Sequence, residues 1–174
     1  MRPFISKKPE MNIVGMSFYG DPFNTYGGWD GENEIGRVWS RFMKFMEANA
    51  TKIENITKSG VFYEVHIYDE ETIAKGVFEV FVGVRVNKIK DIPVELLVKT
   101  LPASEYAVFT FKGTAISSDW YLSIDQWVAT AGYRRVPSFM FQYYDERFKG
   151  VDNIAASVLD VYVSVEPVTP EVGR

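Results

Sequence analysis

Between residues 34 and 48, apolar side chains recur at Ile35, Val38, Trp39, Phe42, Phe45 and Met46. This i, i+3, i+4, i+7 spacing predicts an amphipathic helix, with Asn33 or Glu32 as its cap. A second stripe, Trp120, Ile124, Trp127 and Val128, predicts a helix over 117–131. Ser117, Ser118 or Asp119 would cap it and Gly132 would stop it. Elsewhere the pattern has period two. Residues 11–19, 62–68, 77–86, 96–101, 106–111, 139–144 and 158–165 are apolar and β-leaning, and read as strands. The intervals are polar or rich in turn formers. Residues 20–31 read as a loop, 69–75 as a charged turn, 87–93 as a Pro-bearing connection and 1–10 as a leader. The tail after Pro167 is expected to fray.

The order strand, helix, strand, strand therefore occurs twice, which calls for a repeat. Tyr63-Glu64-Val65-His66-Ile67-Tyr68-Asp69-Glu70 can be laid on Phe139-Met140-Phe141-Gln142-Tyr143-Tyr144-Asp145-Glu146. Val82 to Val86 then falls on Val161 to Val165. The expectation is one α+β domain over 1–174, with halves of about 11–90 and 94–167. A tandem strand-helix-strand-strand repeat would form an antiparallel sheet with two helices on one face.

Alternation within each strand assigns Val65, Ile67, Phe139, Phe141, Tyr143, Val80, Val82, Val84, Val86, Leu159, Val161, Val163 and Val165 to the helices. The opposite face would carry Glu64, His66, Tyr68, Phe81, Gly83, Arg85, Met140, Gln142, Tyr144, Asp160, Tyr162 and Ser164. Large aromatics among single polar groups are the composition of a small-molecule pocket.

Composition supports a pocket. Thirteen Phe, ten Tyr and four Trp in 174 residues exceed what one core of this size needs. A net charge of −4 removes the electrostatic case for nucleic acid. The absence of cysteine excludes disulfides, thiolate chemistry and Cys-based zinc sites. No stretch suits a membrane span or a signal peptide, so the default compartment is the cytoplasm. Nucleophile-elbow, phosphate-loop and dinucleotide patterns are missing, and no cofactor or metal is expected.

Individual residues keep two readings. His66, the single histidine, is a hydrogen-bonded bystander or a site residue. Tyr68 and Tyr144 are cross-strand partners or pocket wall. Trp39 and Trp120 belong to helix stripes and are core or pocket floor. Gln142 among aromatics must be tied to a neighbour or await a ligand.

Four segments carry a family resemblance. They are Ile35-Gly36-Arg37-Val38-Trp39-Ser40-Arg41-Phe42, Phe81-Val82-Gly83-Val84-Arg85-Val86, Leu101 to Phe109 with Lys112-Gly113, and Phe141-Gln142-Tyr143-Tyr144-Asp145-Glu146-Arg147-Phe148. Together they resemble the gyrase-inhibitor-like (GyrI-like) small-molecule-binding family. That family includes the effector-binding domains of bacterial multidrug-responsive transcription activators. The resemblance implies a ligand cleft on a pseudo-two-fold and a hydrophobic, often cationic, aromatic ligand. It assigns Tyr162 to a ligand-stacking position. The ligand-binding residues would be His66, Tyr68, Phe81, Gln142, Tyr144, Tyr162, Trp39 and Trp120.

The family's central acid is Gln142 here, so the charge is absent or comes from Asp160, Glu64 or Glu105. In the repeat His66 falls where Gln142 sits, so the two should face each other across the cleft. The ten-residue leader is too short for a DNA-binding module, which implies a stand-alone domain for sensing or sequestering a drug or metabolite. A protein partner such as a regulator or gyrase, and a homodimer through edge strands, fit the same picture; direct contact with nucleic acid or a membrane does not. Two alternatives use His66. One is a hydrolase of reactive electrophiles, with His66 replacing the missing acid. The other is a haem or porphyrin binder, with His66 as axial ligand.

Overall fold

The structure, a computed structural model, describes residues 2–24 and 32–168. Most of the expected 20–31 loop and the tail beyond Val168 therefore lie outside the described residues. Eight strands form one antiparallel sheet: β1 (Phe4–Lys8), β2 (Met11–Gly20), β3 (Phe62–Ile67), β4 (Phe78–Val86), β5 (Leu97–Leu101), β6 (Ser104–Lys112), β7 (Tyr133–Tyr144) and β8 (Val158–Pro167). Their spatial order is β1-β6-β8-β7-β3-β4-β2-β5. Three α-helices complete it: α1 (Glu34–Asn49), α2 (Glu70–Lys75) and α3 (Tyr121–Thr130).

Helix α1 forms where the apolar stripe predicts it. The Asn33 side chain accepts from the Gly36 amide at 2.9 Å and satisfies a free donor of the first turn. Val38, Phe42 and Phe45 then bury against Val80, Val82, Val84 and Val86 of β4. Sealing a side chain such as Phe42 contributes about 1.5–3 kcal/mol. Helix α3 is shorter than the expected 117–131. It opens at Tyr121, whose amide donates to Asp119 Oδ1 at 3.3 Å, and a 3-10 turn, Gly113–Ser117, precedes it. Ile124 and Val128 pack on Leu159, Val161, Val163 and Val165 of β8. Both helices therefore lie on one face.

The charged turn over 69–75 is instead helix α2. Asp69 caps it through the Glu71 and Thr72 amides, Thr72 returns the bond to the Asp69 amide, and Gly76 ends it in the left-handed conformation. The leader also proves structured: Phe4–Lys8 pairs with β6, Lys8 lying opposite Ser104.

That pairing exposes the symmetry of the fold. Strand β5 pairs with β2, Leu101 lying opposite Met11. Two residues, Pro9 and Glu10, link β1 to β2, and two residues, Pro102 and Ala103, link β5 to β6. Each half thus begins with a strand that adds to the other half. An axis through the Glu64–Gln142 pair superposes Pro9 on Pro102, Met11 on Ser104, Gly83 on Tyr162 and Val82 on Val161, and matches every strand register. The repeat laid out from the sequence was two residues off in β3 and β7. Its Tyr-Asp-Glu identity is a coincidence of endings, since the first copy enters helix α2 and the second a turn.

Both two-residue links join strands from opposite ends of the sheet order. Such a link spans only about 10 Å, so the sheet must curl until its flanks approach. The hollow side of the curl, away from the helices, is filled by Met11, Ile13, Tyr63, Val65, Phe81, Leu101, Tyr106, Val108, Phe139 and Phe141.

Candidate functional site

Register settles which side chains look toward the helices. Glu64 lies opposite Val82 on β4 and Gln142 on β7, and Gln142 lies opposite Val161 on β8. Directly opposed residues share a face. Val82, Glu64, Gln142 and Val161 therefore form one row facing the helices. The next row, Phe81, Val65, Phe141 and Tyr162, faces the hollow side. The expected faces hold in β4 and β8 and are inverted in β3 and β7. Both faces of those two strands are buried, so apolar content alone could not choose between them.

The cleft accordingly opens on the helix-bearing face, between α1 and the start of α3, with a volume of ≈ 1270 Å³. Trp39, Trp120, His66, Gln142 and Tyr144 line it. Tyr68 sits behind His66, its hydroxyl 3.5 Å from Nδ1. Phe81 and Tyr162 do not belong to this cleft. Tyr162 stacks on Phe141 at 4.5 Å between ring centres on the hollow side, and Phe81 is fully buried there.

Glu64 is the centre of the site, and it is only 3 % exposed. Its Oε2 accepts from Trp39 Nε1 at 2.5 Å. Its Oε1 meets His66 Nε2 at 2.7 Å and accepts from Gln142 Nε2 at 3.1 Å. The Tyr144 hydroxyl lies 2.7 Å from Gln142 Oε1 and 3.4 Å from Glu64 Oε2. A hydroxyl has one proton to give, and the shorter contact takes it. Tyr144 thus orients the amide, and the amide serves the carboxylate. In its Nε2–H tautomer His66 donates to Glu64 and leaves Nδ1 to accept from Tyr68.

Such bonds offset the several kcal/mol that burying a carboxylate costs. Among the described residues, no lysine or arginine pairs with Glu64. Burial, then the neighbouring Glu64 charge, holds the Tyr144 phenol well above its ordinary range. Burial does the same for Tyr68, reinforced by Tyr121.

Aromatic rings wall the carboxylate. Trp39 meets Tyr144 edge-on at 4.8 Å and Phe62 at 6.1 Å. Tyr144 meets Phe148 at 4.8 Å, and Trp120 stacks on Tyr121 at 4.6 Å. Glu47, Asp119, Asp145 and Glu146 join Glu64 in the lining, against Lys44. Hydrogen bonds from Arg147 at 2.8 Å outweigh burial and hold the Asp145 carboxyl below its usual range.

His66 and Gln142 do not oppose each other across the cleft: they lie diagonally on the adjacent strands β3 and β7, on the helix-bearing face, and each contacts Glu64 Oε1. Glu64 was one of three candidates for the missing charge. Asp160 pairs with Arg147 at 2.6 Å and Glu105 with Lys7 at 2.7 Å, both outside the cleft. Phe62, Tyr121 and Phe148 were not foreseen. The signal for Phe62 was its place two residues before Glu64, on the same face.

The integron-associated effector binding protein family (Cass2) matches residues 4–165. The chain belongs to this family. The Cass2 match begins at Phe4, so it takes in strand β1. Among curated proteins, the chain is 27% identical over 168 residues to the transcriptional regulator BrlR of Pseudomonas aeruginosa, covering 95% of this chain and 56% of BrlR. It therefore spans about half the length of that relative. Among solved structures, it resembles SAV2435 bound to tetraphenylphosphonium, with a TM-score of 0.67, 15% identity, and coverage of 95% of this chain and 94% of that one. The integron cassette protein VCH_CASS2 of Vibrio cholerae gives 0.57 and 19%, covering 94% and 95%. These likenesses carry the GyrI-like α+β fold expected from the sequence. No helix among the described residues is long and apolar enough to cross a membrane.

Proposed function

We propose that this effector-binding chain takes a lipophilic organic cation into the cleft, with Glu64 as counter-charge and Trp39, Tyr144 and Trp120 as its aromatic wall. One observation carries the reading: a buried carboxylate, hydrogen-bonded by Trp39, His66 and Gln142 and unpaired with any lysine or arginine among the described residues, at the floor of an aromatic cleft. In low dielectric the attraction of that charge for a cation is large, and each ring face adds about 0.5–2 kcal/mol. A relative of the same fold was solved with tetraphenylphosphonium, a cation of this class.

Titration of tetraphenylphosphonium against tryptophan fluorescence tests the reading. Saturable quenching is expected, with affinity falling about tenfold or more in Glu64→Gln, or about 1.4 kcal/mol. Equal affinity in the variant, or equal binding of neutral triphenylphosphine oxide, would refute it.

The Glu64–His66 contact at 2.7 Å also supports a second reading, hydrolysis of an electrophile, with this pair as acid and base. A hydrolase encoded by lin2189 of Listeria innocua has a similar fold, with a TM-score of 0.53 and 13% identity. Turnover unchanged in both Glu64→Gln and His66→Ala would remove the pair from any such mechanism. Axial ligation of haem gains no support. His66 is 6 % exposed, and its two nitrogens already face Glu64 and Tyr68.

A further inference from the structure

On the hollow side of the sheet, directly behind the cleft, lies a second and much smaller cavity of ≈ 40 Å³. A single water needs about 10–15 Å³, so the space is large enough for a small polyatomic group. Its polar lining is Lys8, Arg85, Tyr63, Tyr143 and Tyr162. These residues come from β1, β4, β3, β7 and β8. They meet only because the sheet curls, and the turn at Pro9 brings Lys8 from one flank over strands of the other half.

The charge balance at this point is unusual. Lys8 and Arg85 are both half-buried, and neither forms an ion pair among the described residues. The Lys8 ammonium instead sits 5.4 Å from the centre of the Tyr162 ring. The Arg85 guanidinium adjoins the Tyr63 hydroxyl. Tyr143 touches both other phenols, 5.5 Å from Tyr63 and 6.3 Å from Tyr162 between ring centres. Two cations and three hydroxyls that can all donate thus surround a space with no carboxylate in its lining. Donor-only geometry of this kind, with a planar guanidinium fork, is complementary to an oxyanion.

We propose that this cavity binds a small oxyanion, a phosphate or carboxylate group, held by Lys8 and Arg85 and oriented by the hydroxyls of Tyr63, Tyr143 and Tyr162. The site is independent of the cation reading. It shares strands with the cleft, however: Tyr63 precedes Glu64, and Tyr143 stands between Gln142 and Tyr144. An anion here would fasten the curled flanks together from behind the cleft floor.

Inorganic phosphate is the probe, followed by phosphorus NMR line broadening on the full chain at fixed ionic strength, so that general screening is constant. Saturable broadening is expected in the wild type, with binding at least about tenfold weaker in Arg85→Met and a few-fold weaker in Tyr143→Phe. Acetate should compete if the shared carboxylate chemistry is right, and failure to compete restricts the site to phosphate. Absence of saturation in the wild type overturns the proposal, as does unchanged binding in Arg85→Met. Should Arg85→Met lose its circular dichroism signal, Tyr143→Phe decides alone: wild-type affinity there rejects the site.

Discussion

Glu64 and Gln142 occupy equivalent positions in the two halves, one on each side of the pseudo-two-fold, and are paired directly across β3 and β7. One is an acidic side chain lining the cleft, and the other is an amide that donates to it at 3.1 Å. Their neighbours differ in the same way. His66 in the first half corresponds to Tyr144 in the second, Gly83 to Tyr162, and Gly15 to Val108. The backbone is thus symmetric, while the side chains on its axis are complementary rather than alike. Two carboxylates at the axis would repel, and one of them would have to hold a proton. A carboxylate beside an amide satisfies both groups with one net charge.

The sharpest break in the comparison is at the glycines. A Cβ on Gly15 would lie 1.9 Å from the Val82 carbonyl oxygen, and one on Gly83 would lie 2.3 Å from that of Val14. The second half carries Val108 and Tyr162 at these places. Gly15→Ala is expected to cost about 4 kcal/mol or prevent folding, read by urea unfolding, whereas Val108→Ala should cost about 1–2 kcal/mol. Equal costs would show that the backbone approach is not confined to the first half.

A smaller effect is expected from moving the charge across the axis. Gln142→Glu alone should lower stability by about 2–4 kcal/mol near neutral pH through two adjacent buried carboxylates, with recovery in acid. Combined with Glu64→Gln it should restore tetraphenylphosphonium affinity to within a few-fold of wild type. If the double variant binds no better than Glu64→Gln, the position of the charge matters as much as its presence.

The mildest difference concerns tyrosines. Burial holds Tyr144 well above the ordinary value and pushes Tyr106 and Tyr162 up to about 12. All three belong to the second half, with counterparts His66, Ile13 and Gly83, while burial raises Tyr63 and Tyr68 in the first half as well. The folded chain keeps protons that the unfolded chain releases near pH 10. Stability contributed by these phenols is therefore complete below about pH 10 and lost as pH climbs toward their folded values. Urea midpoints should fall between about pH 10 and 12, and absorbance at 295 nm should show fewer tyrosines titrating in the native protein than in urea. Coincident titration curves would contradict the burial of these groups.

Much of this was legible in the chain itself. The stripe from Ile35 to Met46 determined helix α1, because a 3.6-residue period can be buried on one side only by a helix. Alternation located every strand from β2 to β8, and the order of elements revealed two halves. The aromatic surplus signalled a cleft. Strand β1 was not legible, since Phe4–Lys8 is half-polar and gains its partner only from β6, about a hundred residues away. Tertiary structure alone decided which parity of β3 and β7 turned toward the helices. Both sets of side chains on those strands are buried, and a shift of one residue exchanges them, so only pairing with β4 and β8 could fix the choice. That pairing put Glu64, Gln142 and Tyr144 in the cleft and sent Phe81 and Tyr162 to the hollow side. The sequence held the carboxylate; the register of four strands placed it on the axis.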